Sequence, residues 1–178
     1  MTTPRIAPGR TIRELGPVNW VICRAVAKLG GVREGHLFLT LGRHRSLFRG
    51  WLFYSSKLMP GGKISRKETE MIILRVAHLR DCGYELDHHT RLGKRAGVDA
   101  ALRDKVFAGP TAAGLDARQR TFLTAADELV ASKTISDTTW TELAAEFDDR
   151  QMIEFVLLVT QYDGLASTIG TLGIERDL

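Results

Sequence analysis

Cysteine is scarce in this chain of 178 residues, which contains only Cys23 and Cys82. Two cysteines cannot form the disulfide framework of a small secreted domain. No apolar run approaches the roughly 18 residues that a membrane helix needs, and no N-terminal stretch is typical of a signal peptide. These absences favour a protein of the reducing cytoplasm that has no membrane partner.

Strand patterns are also nearly absent, because no segment sustains the alternation of apolar and polar residues that a half-buried strand shows. Helix starts are frequent instead. Four positions carry a capping residue followed three residues later by Glu or Gln: Thr11, Ser65, Asp116 and Asp148. Such a residue accepts a hydrogen bond from an otherwise unpaired N–H group of the first helical turn. The length and these signals predict a single all-α domain over residues 1–178.

The excess of positive charge is small, with 25 Lys and Arg against 21 Asp and Glu. Positive charge is densest in two segments, at Arg43, His44, Arg45 and Arg49, and at Arg91, Lys94 and Arg95. No helix-turn-helix, zinc-finger or RNA-binding signature accompanies them. We therefore predict solvated basic faces and no nucleic-acid partner. Attraction of an anionic substrate is a milder functional interpretation.

Residues 70 to 89 contain the side chains best suited to chemistry. Cys82, Glu85 and His89 fall at positions i, i+3 and i+7, which is one face of a helix. Glu70 lies near the start of a broadly apolar helix, where it is either a buried acid or a partly exposed residue that complements the helix dipole.

Cys82 is predicted near the N-terminus of a helix that Asp81 caps. Unpaired N–H groups at that position favour a thiolate, whereas the carboxylate of Glu85 one turn along disfavours it. A buried and inert thiol is the alternative interpretation.

Glu85 and His89 form an i, i+4 pair in which the carboxylate can fix the imidazole tautomer and raise its basicity. The alternative is a surface ion pair that contributes a few tenths of a kcal/mol. Tyr84 and His88 form a second pair of the same spacing, for which packing is the simpler interpretation.

Glu85 and His88 also match the Glu-x-x-His motif of di-iron helix bundles. Those bundles need two such motifs and further carboxylates, and the chain has no second Glu-x-x-His. No serine nucleophile elbow, phosphate loop or dinucleotide fingerprint is present. We therefore predict no metal and no cofactor.

The spacing of Glu70, Cys82, Tyr84-Glu85 and His89, followed by Ala96-Gly97, resembles the carboxymuconolactone decarboxylase and alkylhydroperoxidase D-like superfamily. Segments 125–129, 135–140 and 161–163 resemble the C-terminal half of its longer members. The resemblance covers roughly residues 45 to 175. It implies an oligomeric, all-α helical bundle, with residues 46–175 as the core and residues 1–45 as an N-terminal helical extension.

Carried over by position, the resemblance implies a site made of Glu70, Cys82, Tyr84, Glu85 and His89. Peroxidase members have a histidine where this chain has Tyr84 and a second cysteine where it has Glu85. A dithiol peroxidase cycle needs that second thiol to form a disulfide, and Glu85 cannot supply it. A glutamate there and the retained histidine resemble the decarboxylase-type members, whose chemistry is proton transfer.

We therefore predict a homo-oligomeric enzyme that acts on a small, anionic organic acid or lactone by general acid/base catalysis. His89 would be the base or acid, Glu85 would orient it or share its proton, and Tyr84 would donate a hydrogen bond to developing negative charge. Glu70 would be a buried second carboxylate. Arg75 or Arg91 would hold the substrate carboxylate. Two alternatives stay open: peroxide reduction by Cys82 with an external thiol, and a non-catalytic oligomer that binds a ligand.

Overall fold

The computed structural model describes residues 4–177, which form helices joined by turns and contain no strand. The helices are α1 Ile12–Leu15, α2 Pro17–Gly30, α3 His36–Leu41, α4 Arg45–Leu58, α5 Arg66–Leu79, α6 Gly83–Arg95, α7 Ala100–Ala108, α8 Ala117–Ser132, α9 Asp137–Glu146 and α10 Asp149–Leu172. The predicted all-α class is confirmed. No helix in this part of the chain is long and apolar enough to cross a membrane.

Each of the four predicted capping residues accepts a hydrogen bond from the N–H group three residues later. These bonds are 3.3 Å at Thr11, 3.3 Å at Ser65, 2.7 Å at Asp116 and 2.9 Å at Asp148. A side-chain oxygen at this position satisfies one of the donors that the first helical turn leaves without a partner. The helix starts are therefore encoded locally.

The start of α6 differs from the prediction, because Cys82 and not Asp81 occupies the N-cap position. Asp81 has a φ of 48° and so adopts the left-handed conformation. Aspartate tolerates this conformation better than most residues, and here it makes the tight turn that separates α5 from α6. The sulfur of Cys82 is thereby placed directly at the first turn of α6.

The chain divides into two compact units, one made of residues 1–57 and 167–178 and the other of residues 58–166. The first unit has an apolar core of Leu15, Cys23 and Phe48, surrounded by partly buried aromatic and aliphatic side chains. The segment around Arg5 meets the end of α10 in this unit, where the N–H of Arg5 donates to the carbonyl of Leu172 at 2.9 Å. The single domain of residues 1–178, with its core and extension, stays a prediction.

The second unit is organised around α5, which is buried continuously from Thr69 to Ala77. Helices α6, α7 and α8 pack against it. Gly93 of α6 faces α5, and a methyl group there would lie 3.3 Å from Leu74 Cδ1 and 3.7 Å from Glu70 Cβ. A glycine at this point lets the two helices approach closely beside Glu70.

Candidate active site

Two buried carboxylates enclose the imidazole of His89. Its Nδ1 lies 2.7 Å from Glu70 Oε2, and its Nε2 lies 3.2 Å from Glu85 Oε2. Glu70, Glu85 and His89 are 0%, 3% and 4% exposed. We call these three residues the Glu-His-Glu triad. Because both ring nitrogens face a carboxylate, the imidazole makes two charge-assisted hydrogen bonds when it is protonated.

Two helices supply the triad. The spacing of four residues along α6 places Glu85 beside His89, and the close packing of α5 on α6 brings Glu70 to the opposite side of the ring. The apolar residues that flank Glu70 along α5 bury this helix, and Glu70 with it. Of the two interpretations of Glu70, the structure therefore supports the buried acid.

Arg66 balances the charge of the triad. Its Nη2 lies 2.5 Å from Glu70 Oε1, and its side chain is 36% exposed. Two carboxylates, one imidazolium and one guanidinium sum to zero, which lowers the cost of burying the three charged groups of the triad. Arg66 is also the most exposed member of this set, so it connects the buried acid to solvent.

The surroundings hold His89 in its protonated form. Burial alone lowers the pKa of this imidazole, but the hydrogen bonds to Glu70 and Glu85 outweigh it and raise the pKa to about 9. His89 is therefore an imidazolium at neutral pH, and loss of its Nε2 proton leaves a tautomer whose Nδ1–H still donates to Glu70.

Tyr162 of α10 covers the triad. Its ring meets the imidazole of His89 edge-on, with 5.1 Å between the ring centroids. Burial, together with the charges of Glu85 and Glu70, raises the pKa of this phenol well above its usual range. The phenol thus stays neutral, and it excludes water from one side of the imidazole.

Cys82 lies at the start of α6 and is 7% exposed. Burial raises the pKa of its thiol, and the nearby Glu85 carboxylate adds to the effect. The N–H groups of Glu85 and Tyr84 act in the opposite direction, without reversing the outcome. The predicted competition between the helix N-terminus and the carboxylate thus favours the neutral thiol.

Tyr84 is buried and stacks on His88, with 4.7 Å between ring centroids and 27° between ring planes. His88 Nδ1 lies 3.3 Å from Arg91 Nη2. Glu85 and His88 therefore face different neighbours and do not converge as a Glu-x-x-His ligand pair. Across residues 4–177, no group of three or more His, Cys, Asp and Glu side chains is arranged to hold a metal ion.

Arg75 does not join the triad, although the sequence suggested it as a substrate ligand. Its Nε and Nη2 donate to the two carboxylate oxygens of Asp127 at 2.6 and 2.7 Å. Its Nη1 donates to the carbonyls of Val106 and Phe107. Every nitrogen of this guanidinium is thus engaged within the fold, and Arg91 is placed beside His88.

Sequence reasoning missed Arg66 and Tyr162 as site residues. Arg66 stands four residues before Glu70, the spacing at which an arginine and a glutamate pair on a helix, so this signal was present. Tyr162 lies 73 positions after His89, and no local pattern links the two.

Comparison with known proteins supports the relationship that the site residues indicate. Residues 45–128 match the carboxymuconolactone decarboxylase family. This segment includes α5 and α6 and therefore the whole triad. A comparison with curated proteins gave no match.

Several solved structures share the fold across nearly the whole chain. A peroxidase-related protein from Ralstonia eutropha JMP134, described as an alkylhydroperoxidase AhpD core, is 21% identical over 99% of this chain and 93% of its own, with a TM-score of 0.83. A peroxidase-related protein from Silicibacter sp. TM1040 is 21% identical over 98% of this chain and 94% of its own, with a TM-score of 0.79.

A third similar structure is a Cys-to-Ala variant of the debrominase Bmp8 in complex with 2,3,4-tribromopyrrole. It is 15% identical over 98% of this chain and 92% of its own, with a TM-score of 0.81. At these identities the similarity establishes the fold alone. The family match over residues 45–128, which contains both helices of the triad, supports the predicted resemblance to the carboxymuconolactone decarboxylase and alkylhydroperoxidase D-like superfamily.

Proposed function

We propose that this protein is an enzyme of the decarboxylase-like branch, which acts on a small organic acid or lactone by general acid/base proton transfer. The observation that carries the proposal is the position of His89 between two buried carboxylates, 2.7 Å from Glu70 and 3.2 Å from Glu85. Perturbed titratable groups that hydrogen-bond one another in a water-poor setting are typical of proton-transfer sites.

We infer a different role for each member of the triad. Glu70 fixes the Nδ1–H of His89, so that Nε2 is the nitrogen that exchanges a proton. Because Nε2 faces Glu85, the proton moves from Nε2 to the Glu85 carboxylate, and the resulting carboxyl group gives it to the substrate carbon. Glu85 is therefore the group that contacts the substrate, and His89 acts through it.

Arg66 is the cation best placed to receive the acid group of a substrate. It is partly exposed and lies beside Glu70, whereas the guanidinium of Arg75 is fully engaged with Asp127 and backbone carbonyls. An arginine recognises a carboxylate through two parallel hydrogen bonds. We propose a substrate anion that reaches the triad past Arg66 and the ring of Tyr162.

The test is exchange of carbon-bound hydrogen for deuterium, followed by NMR for a panel of small lactones and carboxylic acids in D₂O. Wild-type protein should catalyse exchange, or loss of CO₂, for at least one compound. His89→Ala and Glu85→Gln should each reduce the rate by about 10²-fold or more. Cys82→Ser is the matched control and should retain most activity, because the proton route does not include the thiol. Full activity in His89→Ala would overturn the assignment.

Peroxide reduction by Cys82 is a second candidate, favoured by the position of its sulfur at the N-terminus of α6, where two backbone N–H groups offset part of the rise that burial causes in the thiol pKa. The thiolate would attack the O–O bond of a hydroperoxide, releasing an alcohol and leaving a sulfenic acid. Two external thiols would then regenerate the cysteine, forming a disulfide and water.

Intact-mass measurement after treatment with an organic hydroperoxide tests this candidate. The raised pKa predicts slow oxidation of Cys82, no faster than that of a simple thiol. Rapid, stoichiometric oxidation that Cys82→Ser abolishes would instead support the peroxidase. Clear ligand-induced thermal shifts without turnover of any compound would favour a non-catalytic oligomer.

A further inference from the structure

The first unit contains a concave pocket of about 330 Å³ lined by α2, by the segment that leads into α3, by Leu39 of α3 and by Arg10. This volume is at the lower end of the range for small-molecule sites, so a ligand with a single ring would fill it. All of its lining residues lie between Arg10 and Leu39. None of them belongs to the Glu-His-Glu triad.

The pocket has an apolar wall. Trp20, Ala27 and Leu39 line it together with Cys23. Cys23 is buried and its thiol donates to the carbonyl of Phe38 at 3.3 Å. Burial raises the pKa of this thiol to about 11, so the sulfur carries no negative charge at neutral pH.

Three arginines line the pocket together with one acid, and they are not equivalent. Arg10 pairs with Glu34, with 3.2 Å between Nη2 and Oε2. Arg24 lies over the ring of Trp20, 4.1 Å from its centroid, and Arg33 is exposed. Within residues 4–177, neither Arg24 nor Arg33 forms an ion pair with a carboxylate. The pocket therefore presents two uncompensated positive charges above an apolar wall.

We propose that this pocket binds a small aromatic carboxylate. The ring of the ligand would contact Trp20, Ala27 and Leu39, and its carboxylate would accept hydrogen bonds from Arg24 and Arg33. Stacking on Trp20 already orders the Arg24 guanidinium, so less side-chain freedom is lost when the anion binds. An inorganic anion lacks the ring that the apolar wall would bury, so it should bind more weakly.

The experiment follows the indole N–H signals of ¹⁵N-labelled protein during titration with benzoate at low ionic strength. The chain has three tryptophans, and Trp20→Phe assigns the signal of Trp20. The signal of Trp20 should shift saturably, while that of Trp140, which is outside the pocket, should stay in place. Benzyl alcohol, which keeps the ring and lacks the charge, should bind about tenfold more weakly or worse.

Charge variants complete the test. Arg24→Gln and Arg33→Gln should each weaken benzoate binding about fivefold or more, and the double variant should abolish it. Arg49→Gln removes an exposed arginine of the same unit that does not line the pocket, and it should bind like the wild type. Unchanged amide spectra of the variants away from the pocket would show that they are folded.

Three results would overturn the proposal. One is the absence of any Trp20 shift up to about 10 mM benzoate, the limit of weak specific binding. Another is equal affinity for benzoate, benzyl alcohol or inorganic phosphate. The third is wild-type affinity in the folded double variant.

Discussion

Helix α6 contains two side-chain pairs with the same i, i+4 spacing but with different neighbours and different kinds of interaction. Tyr84 and His88 stack on each other; Tyr84 is buried, whereas His88 is partly exposed and close to Arg91. Glu85 and His89, one position further along, are buried and face Glu70 of α5. A single step along the sequence thus separates a stacking contact from the pair in which we propose proton transfer.

The difference arises from the neighbouring helix and not from the pair itself. An isolated i, i+4 pair contributes about 0.2–0.5 kcal/mol to a helix. A buried ion pair is different, because its charged groups have lost their contact with water. Each of them needs hydrogen-bond partners within the protein, and removal of one partner leaves an uncompensated buried charge. Glu70 is the second hydrogen-bond partner of His89, Arg66 pairs with Glu70, and α5 supplies the burial.

Replacing His89 with alanine is expected to have the largest effect. The substitution leaves Glu70 and Glu85 buried without the cation between them, so we expect a loss of about 3–5 kcal/mol in the free energy of unfolding. Urea denaturation followed by circular dichroism measures it. A loss below about 1 kcal/mol, the usual effect at a surface site, would show that His89 is not held as the structure indicates.

The pH dependence of the free energy of unfolding tests the positive charge of His89 without a mutation. The pKa of His89 is raised from 6.5 to about 9, so the folded state retains the proton over a range in which the unfolded state has lost it. The resulting stabilisation is complete below pH 6.5 and is lost as the pH rises through 9. It amounts to at most about 3 kcal/mol.

Urea titrations between pH 6 and pH 9.5 should therefore show a decline in the free energy of unfolding. His89→Gln is the control, since an amide cannot titrate and the decline should be reduced accordingly. An identical decline in wild type and variant would assign it to other groups.

Two carboxylates of α5 each pair with an arginine, and replacing Arg66 with methionine tests how much one of these pairs affects His89. Arg66 pairs with Glu70 in the triad, and Arg118 pairs with Glu68 at 2.6 Å. Removing a positive charge beside the triad favours the imidazolium, so Arg66→Met should raise the pKa of His89 by roughly one unit or less. NMR titration of the imidazole signals measures this shift.

Arg118→Met is the matched control, because it also breaks an ion pair with α5. It should leave the pKa of His89 unchanged. A fall in that pKa in Arg66→Met would contradict the charge balance inferred for the site.

Local features of this fold were predictable because local residues determine them. The capping residues Thr11, Ser65, Asp116 and Asp148 mark four helix starts through bonds to their own first turns. The contact between Glu85 and His89 follows from helical spacing. The prediction that Asp81 caps α6 was wrong because Asp81 adopts the left-handed conformation, which no sequence pattern indicated.

Features that depend on two helices were not predictable in the same way. The burial of Glu70 and its contact with His89 require α5 to pack on α6, and the sequence left two interpretations of that residue open. The contact of the Arg75 guanidinium with Asp127, 52 positions away, was likewise not visible in the sequence. Tyr162 reaches His89 only through the fold.

A double-mutant cycle on each pair of α6 gives the smallest expected effect and the most direct test of the comparison. The cycle of Tyr84→Ala and His88→Ala should give a coupling of about 0.5 kcal/mol, typical of a stacked pair at helical spacing. That of Glu85→Gln and His89→Gln should give about 2 kcal/mol, because both groups are buried and charged. The single substitution at Tyr84 is costly by itself, since that ring is buried, but the cycle cancels this cost. Equal coupling energies would mean that burial under α5 does not strengthen the interaction between Glu85 and His89. The two residues would then be an ordinary helical ion pair.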